Sequence, residues 1–461
     1  MLEASLDVRQ AIKNSRLSGY QILIIVASLT AMFVDGYDVI VVSFAAPQIS
    51  KEFNLNPSIL GLVLAAAGAG QVLGGVISGW IADRAGRRPM IIVGLVVVSG
   101  GMLLSAAAPG PTTLIAARLV TGFGAGGLIP SVGTILNEYS NRRRYGLIMG
   151  LMFSSITIGA VIGGVITAPI LAAQGWRAAF LLCGIVTFII AVIALVAIPE
   201  SLEFLVEKNT PRNQERVARI LRRMGRSETF GATPAPGAAV PAERSKLVGR
   251  ARGLALIAGA GFALTLVSYP FLILWTPQLL ANVGAPELSV SAGLAVSLGG
   301  VVGSLSFAGL SRWVPIGTLA AIALGLGGIA MLVMGVTTGT PGVTVAIAAV
   351  ASLFISAGVA GYYAMVPAMF PVETRALAFG LILSIGRVVG VASPIIGGAL
   401  IATGAGLVTV GIVFAVPLLA ATVLTLVLQN RSRAWNIIGQ DLLDPERTRP
   451  LSEDDISARE A

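Results

Sequence analysis

The chain has 461 residues, 55% of them hydrophobic and only 11% charged, with a mean hydropathy of +0.88. Soluble domains average about 25% charged residues, so a soluble globular protein is set aside. There is no histidine and one cysteine, Cys183, which excludes intrachain disulfides and histidine-ligated metal chemistry and leaves proton traffic to carboxylates.

Apolar runs of about 20 residues, the length that crosses a hydrocarbon core of about 30 Å, recur along the chain. The predicted spans are 21–46, 57–81, 89–108, 112–138, 145–172, 177–198, 253–281, 288–310, 316–337, 341–369, 376–402 and 406–429. Ahead of them, the stretch from Leu6 to Gly19 carries Asp7, Arg9, Lys13 and Arg16. It lacks the long apolar core of a signal peptide, and the first span is read as retained. That span holds Asp35-Gly36-Tyr37-Asp38. Acids at i and i+3 share a helix face, and a charge near the membrane centre costs at least about 2.5–3.5 kcal/mol on insertion scales, so apolar packing does not account for them. Gln71 stands alone among apolar neighbours in the second span, and after it comes Gly79-x-x-x-Asp83-Arg84-x-Gly86-Arg87-Arg88. Its glycines permit a tight turn, and its acid and arginines can pair with one another or with helix ends.

The fourth span carries Arg118-x-x-x-Gly122-x-Gly124 and closes on Asn137-Glu138-Tyr139. Gly175-Trp176-Arg177-x-x-Phe180 precedes the sixth span and Pro199-Glu200-Ser201 follows it. The long polar insertion, 199–252, divides the spans six and six. Glu203 to Met224 is expected to form a surface helix, and Gly231 to Pro241, rich in Ala, Pro and Gly, a flexible linker. In the second half Tyr269 and Trp275 lie in span seven, Tyr362 and Tyr363 in span ten, and Arg387 near the middle of span eleven. The expected organisation is an N-terminal segment 1–20, a six-helix bundle 21–198, the central loop 199–252, a second bundle 253–429 and a tail 430–461 with a disordered end.

Lys and Arg assign orientation, because cytoplasmic loops hold an excess of them. With the N-terminus inside, 27 of the 31 basic residues fall on the cytoplasmic side. Both termini are therefore expected in the cytoplasm, and the net charge of +9 reads as a topology signal rather than a nucleic-acid surface. The arginines from Arg216 to Arg226 also suit anionic headgroups, each adding roughly 1 kcal/mol.

The glycine and Asp-Arg signature after the second span, with Arg118-x-x-x-Gly122-x-Gly124, the entry to span six and its exit, resembles the major facilitator superfamily over about residues 20–430. Asp35-Gly36-Tyr37-Asp38 and Asn137-Glu138-Tyr139 are similar to elements of the aromatic acid:proton symporter family within it. The resemblance implies an all-α membrane protein of twelve transmembrane helices in two pseudo-symmetric six-helix bundles, with a substrate site between them near the midplane. It also implies that Asp83, Arg84, Arg87, Arg88 and Glu138 form a gating network at the cytoplasmic face that helps lock an outward-facing state. One departure stands out: the second-half counterpart of the signature, Phe307 to Arg312, has Ser311 where an acid would stand.

By helix rise, Asp35 and Arg118 both lie roughly 21 Å above the cytoplasmic side. Arg118 is therefore expected to pair with Asp35 or Asp38 in at least one conformation. A nearby guanidinium holds a carboxylate ionised, and a separated, dry arrangement favours its protonation, which makes Asp35, Asp38 and Arg118 the candidate proton-coupling residues; the plainer alternative is a permanent ion pair holding two helices together. Arg387 has the fork geometry to take a substrate carboxylate bidentately, with a bond to backbone carbonyls or to an acid of the other half as the alternative. Tyr37, Tyr269, Tyr362, Tyr363 and Gln71 are candidate site-lining residues, where a planar ring stacks; most aromatics in such spans are core or interface anchors. The resulting expectation is a proton-coupled importer of an aromatic carboxylate working by alternating access, monomeric, in the inner membrane, with no cofactor, no metal and no nucleic acid. The rivals are a symporter of another organic acid, a proton-coupled exporter, and a membrane-embedded receptor or enzyme. No phosphate-binding glycine loop, metal cluster or polar triad favours the last of these.

Overall fold

In lipid every backbone N–H and C=O must find its partner inside the protein, so apolar runs of this length fold as helices. The computed structural model describes residues 17–141, 144–208, 210–225, 250–337, 340–370 and 372–434. The segment before Leu17, the expected linker Gly231 to Pro241 and the end of the tail lie outside them. Among the described residues twelve helices are long and apolar enough to cross a membrane: α1 Gly19–Glu52, α2 Pro57–Ala85, α3 Arg87–Ala106, α4 Pro111–Tyr139, α5 Leu147–Gln174, α6 Trp176–Ala197, α7 Arg252–Asn282, α8 Pro286–Leu310, α9 Ile316–Val336, α10 Pro341–Val366, α11 Ala378–Ala402 and α12 Leu407–Arg431. Each corresponds to one expected span, with ends shifted by several residues at most.

Local chemistry sets several of those ends. Ser18 begins α1 with a reciprocal cap: its hydroxyl accepts from the Gln21 N–H at 3.3 Å, and the Gln21 side chain accepts from the Ser18 N–H at 2.9 Å. Gly86 turns the chain between α2 and α3 at φ 102°, and a Cβ there would lie 2.3 Å from the Glu200 carboxylate. Only glycine meets both demands. A second left-handed glycine, Gly175 at φ 82°, separates α5 from α6. Within α4 the helix is broken between Ala125 and Leu128.

The expected helix from Glu203 to Met224 is instead two helices, Leu202–Lys208 and Pro211–Arg223. Pro211 has no N–H to continue the first, and Thr210 caps the second by accepting from the Asn213 N–H at 3.3 Å. Nor is it a free surface helix. Val217, Ile220 and Leu221 are buried in the cluster that holds Ile24, Leu95, Val132 and Tyr139.

The two halves repeat one packing plan. α1 lies on α5, α2 on α4, and α3 on α4 and α6; likewise α7 lies on α11, α8 on α10, and α9 on α10 and α12. Across the middle, α2 meets α11, α5 meets α8 and α1 meets α7, an arrangement unchanged when the halves are exchanged. The end carrying the arginine-rich turn after α2 and the central loop is termed the basic end. The halves close on each other toward the opposite, far end. There a Cβ on Gly398 of α11 would stand 2.4 Å from the Pro57 carbonyl of α2, and one on Gly61 would stand 2.7 Å from the Pro394 carbonyl. Backbone meets backbone. Beside them the Ser43 hydroxyl of α1 donates to the Ile273 carbonyl of α7 at 2.7 Å.

Candidate functional site

Arg118 of α4 chooses between the two acids of α1. Its Nη1 and Nη2 donate to Oδ1 and Oδ2 of Asp38, the second contact at 2.9 Å, so the pair is bidentate. Arg118 is 1% exposed and Asp38 6%, and the apolar shell includes Met102, whose sulfur lies 3.7 Å from Nη1, and the Phe180 ring, 5.7 Å from the guanidinium carbon. Removing either partner of such a pair strands a buried charge.

Asp35, three residues earlier, is half-buried and bound differently. Gln71 of α2 donates its amide N–H to Asp35 Oδ1 at 3.0 Å. The charges acting most strongly on this carboxylate are Arg387, from α11 of the other half, and Asp38. Among the described residues Arg387 makes no hydrogen bond or ion pair, so the alternative of a backbone-carbonyl bond is not met in this conformation. Its guanidinium is half-buried at mid-span, in the field of Asp35 and of Tyr363. Tyr363 of α10 also senses Tyr269 of α7, whose phenol oxygen accepts from the Ser356 hydroxyl at 3.0 Å. Hydrogen bonds and electrostatic coupling thus connect Asp35 with Gln71 and Arg387, Arg387 with Tyr363, and Tyr363 with Tyr269, while the Asp38–Arg118 pair lies three residues along α1 from Asp35. Chemically this is an acid in one half coupled electrostatically to a guanidinium of the other that has no hydrogen-bond or ion-pair partner among the described residues, with phenols in the same field.

Two expected lining residues stand elsewhere in this conformation. Tyr37 is 0% exposed; its hydroxyl meets that of Thr167 at 3.5 Å, and its ring packs against Phe33 and the space left by Gly163. Tyr362 is 1% exposed, with its hydroxyl 2.8 Å from that of Thr425 and its ring beside Phe262. Both face the interior of their own half because the helix rotations turn them there. Trp275 is likewise buried, donating to the Pro394 carbonyl at 3.1 Å. Ser356 was missed by sequence reasoning; its only signal was a hydroxyl four residues after Ser352 in an apolar run.

At the basic end, Asp83 pairs with Arg87 at 2.9 Å, and Arg84 lies over the Trp80 ring at 3.7 Å. Arg88 donates to the Leu195 carbonyl at 2.6 Å. Glu138 accepts from the Ser201 hydroxyl at 2.6 Å and the Leu202 N–H at 2.7 Å. The residue joining these groups is Glu200, not singled out as a site residue from the sequence. Its Oε1 accepts from the N–H groups of Arg87, Arg88 and Ser201 at 2.7, 3.1 and 2.9 Å. A carboxylate at the N-terminus of α3 complements both the orphan N–H groups and the helix dipole. All of these contacts lie within the first half and its connecting loop.

A family model described as Major Facilitator Superfamily matches residues 28–348. The gallate transporter of Pseudomonas putida is 29% identical over 437 residues, covering 91% of this chain and 94% of that protein. The 4-hydroxybenzoate transporter PcaK of Acinetobacter baylyi is 29% identical over 83% of this chain and 86% of its own length. Among solved structures, the crystal structure of a D-xylose-proton symporter superposes with a TM-score of 0.70 at 16% identity, covering 88% of this chain and 97% of the other.

Proposed function

The chain belongs to the Major Facilitator Superfamily, and on that footing we propose that it is a proton-coupled importer of aromatic carboxylates. The observation that carries the reading is the guanidinium of Arg387, half-buried in the second half and without a hydrogen bond or ion pair among the described residues, coupled electrostatically to Asp35 of the first half. A planar fork in a half-buried, low-dielectric setting is a receptor for a carboxylate. A substrate anion that engages Arg387 competes with Asp35 for the same positive charge. Asp35 and the substrate are thereby linked, and linkage of this kind lets proton binding and substrate binding drive one another. Similarity to transporters of gallate and 4-hydroxybenzoate supports an aromatic acid as the cargo, with the phenols of Tyr363 and Tyr269 beside the ring.

In this reading the basic end faces the cytoplasm, since it carries the excess of Lys and Arg, and both termini lie there, in the inner membrane. The protein works as a monomer. Residues 21–198 and 253–429 are the two rocking bodies, joined by 199–252. The site opens in this reading toward the basic end, away from the contacts at the far end, and rocking of one body on the other exposes it alternately. The network around Glu138, Asp83, Arg84, Arg87 and Arg88 steadies the cytoplasmic face and exchanges partners during that motion.

Counterflow of labelled 4-hydroxybenzoate in proteoliposomes tests the reading. Exchange that gallate competes and xylose does not is the expected result. No exchange with any aromatic acid would remove it.

A further inference from the structure

We propose that Tyr269, oriented by Ser356, recognises a ring hydroxyl of the substrate, while Arg387 takes its carboxylate. The inference rests on the reading of the protein as an aromatic acid transporter and names what that site selects.

The first observation is a hydrogen-bond inventory. Ser356 spends its O–H on the Tyr269 oxygen, at 3.0 Å, and a phenol has one O–H and acceptor lone pairs. Tyr269 therefore keeps its own proton to donate and a lone pair to accept. Its side chain is half-buried at mid-span, where a donor left unmatched is penalised. The second observation lies one turn earlier on α10. Ser352 is buried and its hydroxyl has no hydrogen-bond partner among the described residues. The residue of α8 facing both serines is Gly300, where an added Cβ would stand 3.0 Å from the Ser356 oxygen and 3.4 Å from that of Ser352. Glycine at this position leaves room for the two hydroxyls of this corner, and the Thr157 methyl of the first half reaches the same space, 3.3 Å from that Cβ position.

The third observation connects that corner to the guanidinium. Tyr363 lies in the field of Arg387 on one hand and of Tyr269 on the other, and its ring is set edge-on to Phe262 and Phe379, with centroids 5.9 Å away in each case. Tyr363, packed with these rings, thus forms an aromatic surface coupled electrostatically to both groups, and among the described residues neither the Arg387 guanidinium nor the Tyr269 O–H is matched to an acceptor. The ligand that matches it is a flat ring with a carboxylate at one edge and a hydroxyl at another. Benzoate satisfies the cation and the wall but leaves the Tyr269 proton unmatched.

The test is competition for labelled 4-hydroxybenzoate uptake by the full-length protein in proteoliposomes, with 4-hydroxybenzoate, 3-hydroxybenzoate and benzoate as competitors. The wild-type protein is expected to favour at least one hydroxylated acid over benzoate by about tenfold, the worth of about 1.4 kcal/mol. Tyr269→Phe is expected to erase that preference by lowering affinity for the hydroxylated acid far more than for benzoate. Ser356→Ala moves the ratio in the same direction, and Ser356→Thr, which keeps a hydroxyl, restores it. A merely structural tyrosine would lower all three affinities together, and an unchanged ratio in both Tyr269→Phe and Ser356→Ala, or an equal loss for all acids, overturns the inference. Should Tyr269→Phe fail to fold, the Ser356 pair of variants decides. If the wild-type protein recognises none of the three acids, the transporter reading itself falls and takes this one with it; recognition with an unchanged ratio overturns this one alone.

Discussion

Asp38 is gripped by Arg118 through both carboxylate oxygens, and the pair is sealed among Met102, Phe180 and the surrounding core. Asp35, on the same face of α1, has the Gln71 amide as its one hydrogen-bond partner among the described residues and is coupled electrostatically to Arg387 of the other half. Two acids of one motif are therefore held differently: Asp38 is paired with α4 through both oxygens, and Asp35 accepts from Gln71 of α2.

If Asp38–Arg118 is a strut, breaking it is costly and removing it whole is not. Arg118→Met alone is expected to destabilise the folded protein by about 3–5 kcal/mol, because Asp38 stays buried without its counter-charge. Asp38→Leu combined with Arg118→Met recovers most of that loss. Melting temperatures of the purified single and double variants in detergent check it, as a double-mutant cycle. Single variants as stable as wild type would deny the strut.

The closure at the far end depends on glycine. A Cβ at position 398 would stand 2.4 Å from the Pro57 carbonyl, so Gly398→Val forces α2 and α11 apart and disfavours the conformation described here. A cysteine placed at Ala65, 4% exposed and on the same face of α2 as Gly61, with Cys183 changed to Ala, reports the effect through an impermeant maleimide. The buried Cys183 is 0% exposed, which makes that background simple. Faster labelling is expected in Gly398→Val, and an unchanged rate would mean that the contact does not govern closure.

Glu200 is expected to matter for stability and not for substrate choice. Glu200→Ala leaves three backbone N–H groups without their acceptor, and loss of a helix N-terminal cap costs about 0.5–2 kcal/mol. A lowered melting temperature with unaltered ranking of substrates is the result to look for.

Arg387→Lys keeps the charge and loses the fork. Affinity for an aromatic carboxylate is expected to fall about 10- to 100-fold, while that for the corresponding amide changes little. Binding isotherms for the acid and its amide check this. Equal losses would place Arg387 in a general structural role.

Much of this was legible from the residues. Lipid permits few backbone solutions, so twelve apolar runs gave twelve helices, and ionisable groups within them are rare enough that Asp35, Asp38, Arg118 and Arg387 stood out at once. What was not legible follows from helix geometry. Asp35 and Asp38 share a face and differ in depth by only about 4.5 Å, so depth matching left both open to Arg118. Tyr362 and Tyr363 are adjacent and point about 100° apart; in a helix apolar all round, nothing in the pattern tells which of them turns inward to Thr425 and which toward Arg387. The single helix expected from Glu203 to Met224 failed at Thr210-Pro211, where a capping residue and a proline mark a new start. Glu200 escaped because its partners are backbone N–H groups 112 and 113 positions earlier, brought to it only by the fold.

The central claim is that Asp35 couples protons to a carboxylate held by Arg387. The direct measurement is uptake of labelled 4-hydroxybenzoate into proteoliposomes under an imposed inward proton gradient, alongside counterflow without a gradient, for wild type and Asp35→Asn. Wild type is expected to accumulate substrate above equilibrium, while Asp35→Asn still exchanges it in counterflow and no longer accumulates it. Gradient-driven accumulation that persists undiminished in Asp35→Asn would contradict the account.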